Sequence, residues 1–349
     1  MIIDPLGRIH SGEIWLKSQC KTKEEQLVQS IYACLQQHNY QNVNVLSHTR
    51  SVWQRGSQKI VVSVVDDIWD CAENRSAETP YLFDSNTKII TDNFLNCPSV
   101  YQLLPLPASF YGIYSYTPDN TQWMPERDYT FAVNRQDYKR MEILLELYQN
   151  LGFNAGHVNF NCRSAGHRGF EPEEERRQEF LNLAEMHAST QKIHNAFVEL
   201  AKIVPIKNHS IDHDTAFLRS WVSVIVETYS SDNVISVSEK IFRALVTPAP
   251  WVAYAGRYTV ARLRALGFDV LDDIVDHRHD RLLEAQYKKQ EFVIAAKNTI
   301  AHLKTQDLQT TTARCWAAAQ HNQALLSKLA AAWEQEQHTW LEKLSQEIQ

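Results

Sequence analysis

The residues in this chain best suited to chemistry fall in one stretch, Trp221 to Arg281. An apolar run, WVSVIV, ends in Glu227, and Ser238-Glu239-Lys240 follows at the start of a helical pattern. A buried parallel strand delivers its last residue to the sheet edge where open α/β sheets bind ligands. A helix N-terminus adds free N–H groups and positive potential, which suit a phosphate. Lys240 adds a full charge there, and Glu239 is of the type that accepts hydrogen bonds from a ribose diol. The same residues also fit a capped helix start carrying an ion pair, so taken alone they leave both readings open.

Other chemistries have less support. The chain contains none of G-x-x-x-x-G-K-[ST], G-x-G-x-x-G, G-x-S-x-G or H-E-x-x-H. His277, His279 and Asp280 form the densest histidine run, but they are mixed with Arg278 and Arg281 and read as a solvated turn. His209 and His213 read the same way. No metal site is expected. The six cysteines are scattered without a C-x-x-C pair and fit reduced thiols.

The elements that must position these residues alternate. Residues 22–38 carry Leu27, Ile31 and Leu35 at helical spacing. Strands are expected at Val43–Leu46, Lys59–Val65 and Lys88–Thr91, and Val100–Leu106 is a further apolar stretch, a rhythm that suggests α/β layering with a parallel sheet. A Pro- and Tyr-rich connection covers 105–128. A strand at Tyr129–Val133 and a helix at Lys139–Leu151 open the second region. A helix starts within 171–178, strands follow at Trp221–Tyr229 and Trp251–Ala255, and a helix at Thr259–Leu266 stops at Gly267. Phe268–Leu271 reads as a strand and Gly156–Gly169 as a loop. Residues 280–346 hold no glycine or proline and read as two or three long helices. Leu326, Ala330, Trp333, Trp340 and Leu344 make an apolar stripe there.

The stretch from Glu227 to Asp269, with VISVSEKIFRAL, Pro250, Gly256 and LRALGFD, resembles the nucleotide-sugar-binding half of GT-B glycosyltransferases of the phage and marine-microbial type. Its donor motif is similar to that of the α-1,3-fucosyltransferase-like family. A second likeness, Asn134-Arg135, Arg140, Leu144-Leu145 and Gly152, matches the strand and helix that open the same domain. The resemblance implies two Rossmann-like domains facing a cleft. These are an N-terminal acceptor domain (1–125) and a donor-binding domain (126–282), with a helical tail (283–349) packing back on both. It assigns donor contacts to Arg135, Arg140, Glu227, Ser238, Glu239 and Lys240. Glu227 departs from the family pattern, because Thr228 follows it where the family has Asn. The catalytic base is expected at the end of an N-terminal strand, with Asp66 and Asp67 first, then Asp70 and Asp92. The co-substrate is a nucleoside-diphosphate sugar, with UDP-sugar the first choice, and no other cofactor is implied. The acceptor is a hydroxymethylated DNA base or a saccharide.

Two other classes fit the same residues: a nucleotide-binding scaffold without transfer, and an interaction protein working through its helical tail. The net charge of −6 excludes a broad cationic shell for polyanions. No signal peptide or membrane span is visible, so the expected location is the cytoplasm, that of the host if phage-encoded.

Overall fold

Two sheets carry the architecture. The computed structural model describes residues 2–3, 9–10, 28–47, 50–63, 87–91, 94–95, 100–102, 123–133, 138–160, 173–203, 213–227, 234–235, 237, 239–283 and 287–349. The first sheet holds, in this order, β1 (Gln41–Ser47), β2 (Arg50–Arg55), β3 (Gln58–Ser63), β4 (Thr87–Thr91) and β5 (Val100–Gln102). β3, β4 and β5 are parallel, but β1, β2 and β3 pair antiparallel, which corrects the expectation of a parallel sheet here. The cause is a two-residue hairpin. Arg55 pairs with Gln58, and Gly56 at φ 60° takes the left-handed conformation that such a tight turn needs. A helix over 28–37, α1, sets Val28, Ile31 and Leu35 against Trp53, Ile60, Val62 and Ile90.

The second sheet is fully parallel. It contains β6 (Arg127–Val133), β7 (Gly156–Phe160), β8 (Ser220–Val226) and β9 (Trp251–Tyr254) in the order β7-β6-β8-β9. β7 corrects the reading of 156–160 as loop. The helices are α2 (Tyr138–Leu151), α3 (Glu173–His187), α4 (Gln191–Ile203), α5 (His213–Leu218), α6 (Glu239–Val246), α7 (Thr259–Ala265), α8 (Lys288–Leu303) and α9 (Leu308–Glu347). Val222, Val224 and Val226 of β8 face a core shared with α2, α3, α4 and α8, while Ile225 faces a second core shared with α6 and α7. Burial on both faces is why β8 reads as an unbroken apolar run.

The expected strand at Phe268–Leu271 is absent. Asn322 of α9 instead accepts from Asp269 N–H at 2.8 Å and donates to Asp269 C=O at 2.9 Å, so a side-chain amide takes the place of a neighbouring strand. The stop at Gly267 is as its sequence position suggests. Gly267 has φ 96°, its N–H reaches Arg264 C=O, and Phe268 N–H reaches Leu263 C=O, the paired bonds of a Schellman motif. No described helix is long and apolar enough to cross a membrane.

Candidate functional site

The strand order contains a reversal. The chain passes from β6 outward to β7, then returns across β6 to β8 and on to β9. Helix α2, which follows β6, packs on one face of the sheet, and α6, which follows β8, packs on the other. The chain therefore diverges beyond the C-terminal ends of β6 and β8. That is the switch-point crevice where open α/β sheets bind ligands.

Glu227 stands at this crevice, directly after β8. Its N–H donates to Tyr254 C=O at 2.9 Å, which continues the β8–β9 pairing by one residue. Its side chain is 1% exposed, and its Oε2 lies 4.0 Å from Lys240 Nζ. Burying a carboxylate this completely calls for a compensating cation. Lys240 sits in the first turn of α6, held there because Ile241, Phe242 and Leu245 anchor the helix in the core.

Across the crevice, α2 begins Tyr138-Lys139-Arg140 and has no acid in its first turn. Arg140 is buried. Cations in the first turn of a helix oppose its macrodipole, and such turns normally favour acids. Lys139 and Arg140 lie in the first turn of α2, and Glu239 and Lys240 in the first turn of α6.

Of the residues expected in the donor site, Glu227 and Lys240 are in contact, Glu239 heads α6, and Arg140 lies in the first turn of α2 on the other side of the crevice. Arg135, Ser238, Asp66 and Asp67 lie outside the described residues, as do Asp70, Asp92, His209, residues 103–122 and residues 161–172.

The neighbouring helix start is already filled. Asp280 accepts from Val260 N–H and Ala261 N–H, both at 3.0 Å, and so caps α7 with a carboxylate. This overturns the solvated-turn reading of 277–281. His279 donates from Nε2 to Ala253 C=O at 2.9 Å, and His277 from Nε2 to Val270 C=O at 2.8 Å. Both rings are buried, and burial pushes both pKa values down, that of His279 to about 3. Burial pushes the Asp280 carboxyl up, against its two backbone hydrogen bonds and the nearby Lys288 charge. Lys288 is 0% exposed and donates from Nζ to Ala255 C=O at 2.7 Å. One hint of this clasp is legible in the sequence, the close spacing of His277, His279 and Asp280. Lys288 gave none, since a lysine at a helix start reads as solvent-facing. Among the described residues no group of three His, Cys, Asp or Glu is arranged to hold a metal ion.

No protein family matches the chain, and no curated protein does. Among solved structures, the crystal structure of the GtfA/B complex is similar over 78% of this chain and 44% of that chain, at 14% identity and a TM-score of 0.34. The chain thus spans less than half of the matched structure's length, and a likeness this loose leaves the functional argument to the residues themselves.

Proposed function

We propose that this chain is a glycosyltransferase of GT-B layout that uses a nucleoside-diphosphate sugar, with the donor diphosphate lying in the switch-point crevice. The observation that carries the reading is the buried Glu227 directly after β8, with Lys240 of α6 4.0 Å from it, at the strand-order reversal of the parallel sheet. The resemblance of the Glu227–Asp269 stretch to fucosyltransferase-like donor motifs points the same way.

In sugar transfer the bond from the anomeric carbon to the diphosphate oxygen breaks, and a bond to the acceptor oxygen forms. Negative charge grows on the leaving diphosphate. Arg140, Lys240 and the N–H groups at the start of α6 would stabilise that charge from fixed positions. Glu239 would hold the ribose hydroxyls. The acceptor proton would pass to a carboxylate, with Asp66 and Asp67 the first candidates because they follow β3 closely in the chain. UDP-sugar is the first donor to try, and the acceptor is a hydroxymethylated base in phage DNA or a saccharide.

The test is a thermal-shift panel of UDP, GDP, ADP and CMP and their sugars, on wild type and on Lys240→Ala. A ligand that binds only the folded state raises the melting temperature once it is well above its dissociation constant. The expected result is a shift with one nucleoside diphosphate that Lys240→Ala loses. Absence of any shift with every nucleotide at about 100 times a micromolar Kd would overturn the reading.

A further inference from the structure

β9 is an edge strand, and carbonyls along a strand alternate between its two sides. On the inner side, Pro250 C=O accepts from Ser223 N–H and Tyr254 C=O accepts from Glu227 N–H, both at 2.9 Å. The alternate carbonyls, of Ala253 and Ala255, meet two buried side chains in place of a further strand. His279 donates from Nε2 to Ala253 C=O at 2.9 Å, and Lys288 donates from Nζ to Ala255 C=O at 2.7 Å. His279 serves the middle of the strand. Lys288 serves its end, in the peptide unit next to the carbonyl that holds Glu227.

Lysine is an unfavourable residue for that bond. It opens α8, where the macrodipole opposes a cation, and it is 0% exposed. An ammonium out of water is tolerated where fixed dipoles and charges receive it. Here these are the Ala255 carbonyl, the face of the Tyr254 ring with its centroid 5.4 Å from Nζ, and the charge of the nearby Asp280 carboxylate. Asp280 in turn caps α7, and its C=O accepts from Tyr258 N–H at 2.8 Å. One ammonium thus ties the end of β9 to the cap of the helix that follows it.

We propose that Lys288 is a positioning residue for the crevice: by fixing Ala255 it fixes the Tyr254 carbonyl, and through that carbonyl the place of Glu227 beside Lys240. This inference rests on the reading of the crevice as a diphosphate site. Residues of a site act from a defined place only where neighbouring contacts lock them. Because Glu227 Oε2 lies 4.0 Å from Lys240 Nζ, a loosened β9 end disturbs the carboxylate and the cation together.

Hydrogen exchange resolved to single amides tests this on the full chain, alongside isothermal titration with UDP, GDP, ADP and inorganic pyrophosphate. The proteins are wild type, Lys288→Met and His279→Gln. Lys288→Met is expected to speed exchange at Glu227 N–H about tenfold and to weaken the preferred nucleoside diphosphate and pyrophosphate about tenfold. Ser223 N–H, bonded at the other end of β9, should keep its protection. His279→Gln should leave Glu227 exchange and affinity as they are. Should Lys288→Met not fold, Lys288→Gln, a neutral donor of shorter reach, is read in the same way. Equal loss of protection at Ser223 and Glu227 would make Lys288 a general stabiliser and overturn the proposal. So would protection at Glu227, or affinity, that the Lys288 variant leaves unchanged. The same changes in His279→Gln would make the effect a loosening of the whole β9 edge and overturn the assignment to Lys288. A wild type that binds none of the four ligands overturns the crevice reading. Exchange at Glu227 then decides alone whether Lys288 sets its place.

Discussion

A histidine sealed from water at neutral pH is a proton acceptor that folding has switched off, and His277 and His279 are two of them. Each donates from Nε2 to a backbone carbonyl, which leaves Nδ1 as the unprotonated nitrogen, with no hydrogen-bond partner among the described residues. The unfolded chain takes up a proton on each near pH 6.5. Folded His279 resists until about pH 3, and folded His277 is shifted in the same direction. Between pH 6.5 and about 3 the unfolded state binds more protons at His279, so stability falls as pH falls, by up to about 1.4 kcal/mol per pH unit, and His277 acts in the same direction. Asp280 works the other way, because its raised carboxyl pKa lets the folded state take up a proton before the unfolded one does. One such group offsets part of the effect of two histidines. His279→Gln keeps a donor for Ala253 C=O and removes one titration. Urea midpoints between pH 7 and 4.5 should therefore fall less steeply in the variant, and an unchanged slope would refute the assignment.

At the scale of elements, α7 and the segment after it depend on side chains from elsewhere in the chain. Asp280 caps α7, and Asn322 of α9 satisfies Asp269 on both backbone groups while also donating to Leu245 C=O at 2.9 Å. Asn322 is 1% exposed, so Asn322→Ala leaves buried backbone groups unpaired and should cost about 2–3 kcal/mol in a urea titration. A cost below about 0.5 kcal/mol would mean that water replaces the amide freely. These supports also mark the limit of what the sequence reveals. β8 and the Gly267 stop are legible because each is written locally, one as a doubly buried β-branched run and the other as a glycine that must turn left-handed. The hairpin is missed because its first strand, β2, has only Val52 and Trp53 apolar among its six residues. β7 is missed because it is an edge strand whose clearest buried residue is Val158. The Phe268–Leu271 stretch is over-read, since apolar residues in a short run fit a strand as well as a segment bonded to a distant amide. In the crevice, Glu227 and Lys240 are visible as chemistry because a buried strand's end and a helix's start mark them locally.

At the scale of the molecule, α9 is buried at both ends in different cores. Its 40 residues, at about 1.5 Å each, span roughly 60 Å. Near the start, Arg314 donates to both Asp269 and Asp273, and Cys315, Ala318 and Leu326 are buried beside the parallel sheet. Near the end, Leu344 and Ile348 complete the core that α1 forms with β2, β3 and β4, and His38 Nε2 lies 2.6 Å from Ser345 Oγ. The first, mixed sheet therefore lacks part of its own core until the last turns of the chain arrive. A turn of one sheet against the other would have to bend α9 or withdraw those residues. Removing residues 340–349 should expose Val28, Ile31 and Trp53 while leaving the Arg314 end intact. Hydrogen exchange should then lose protection over 28–37 and 50–63 and keep it over 220–226 and 251–254. Leu344→Ala should do the same more mildly, at about 2–4 kcal/mol for the N-terminal unit alone. Equal loss of protection in both sheets would mean that they unfold as one unit, and that α9 fuses two cores into a single cooperative body. Protection unchanged everywhere would mean that the N-terminal sheet holds without it.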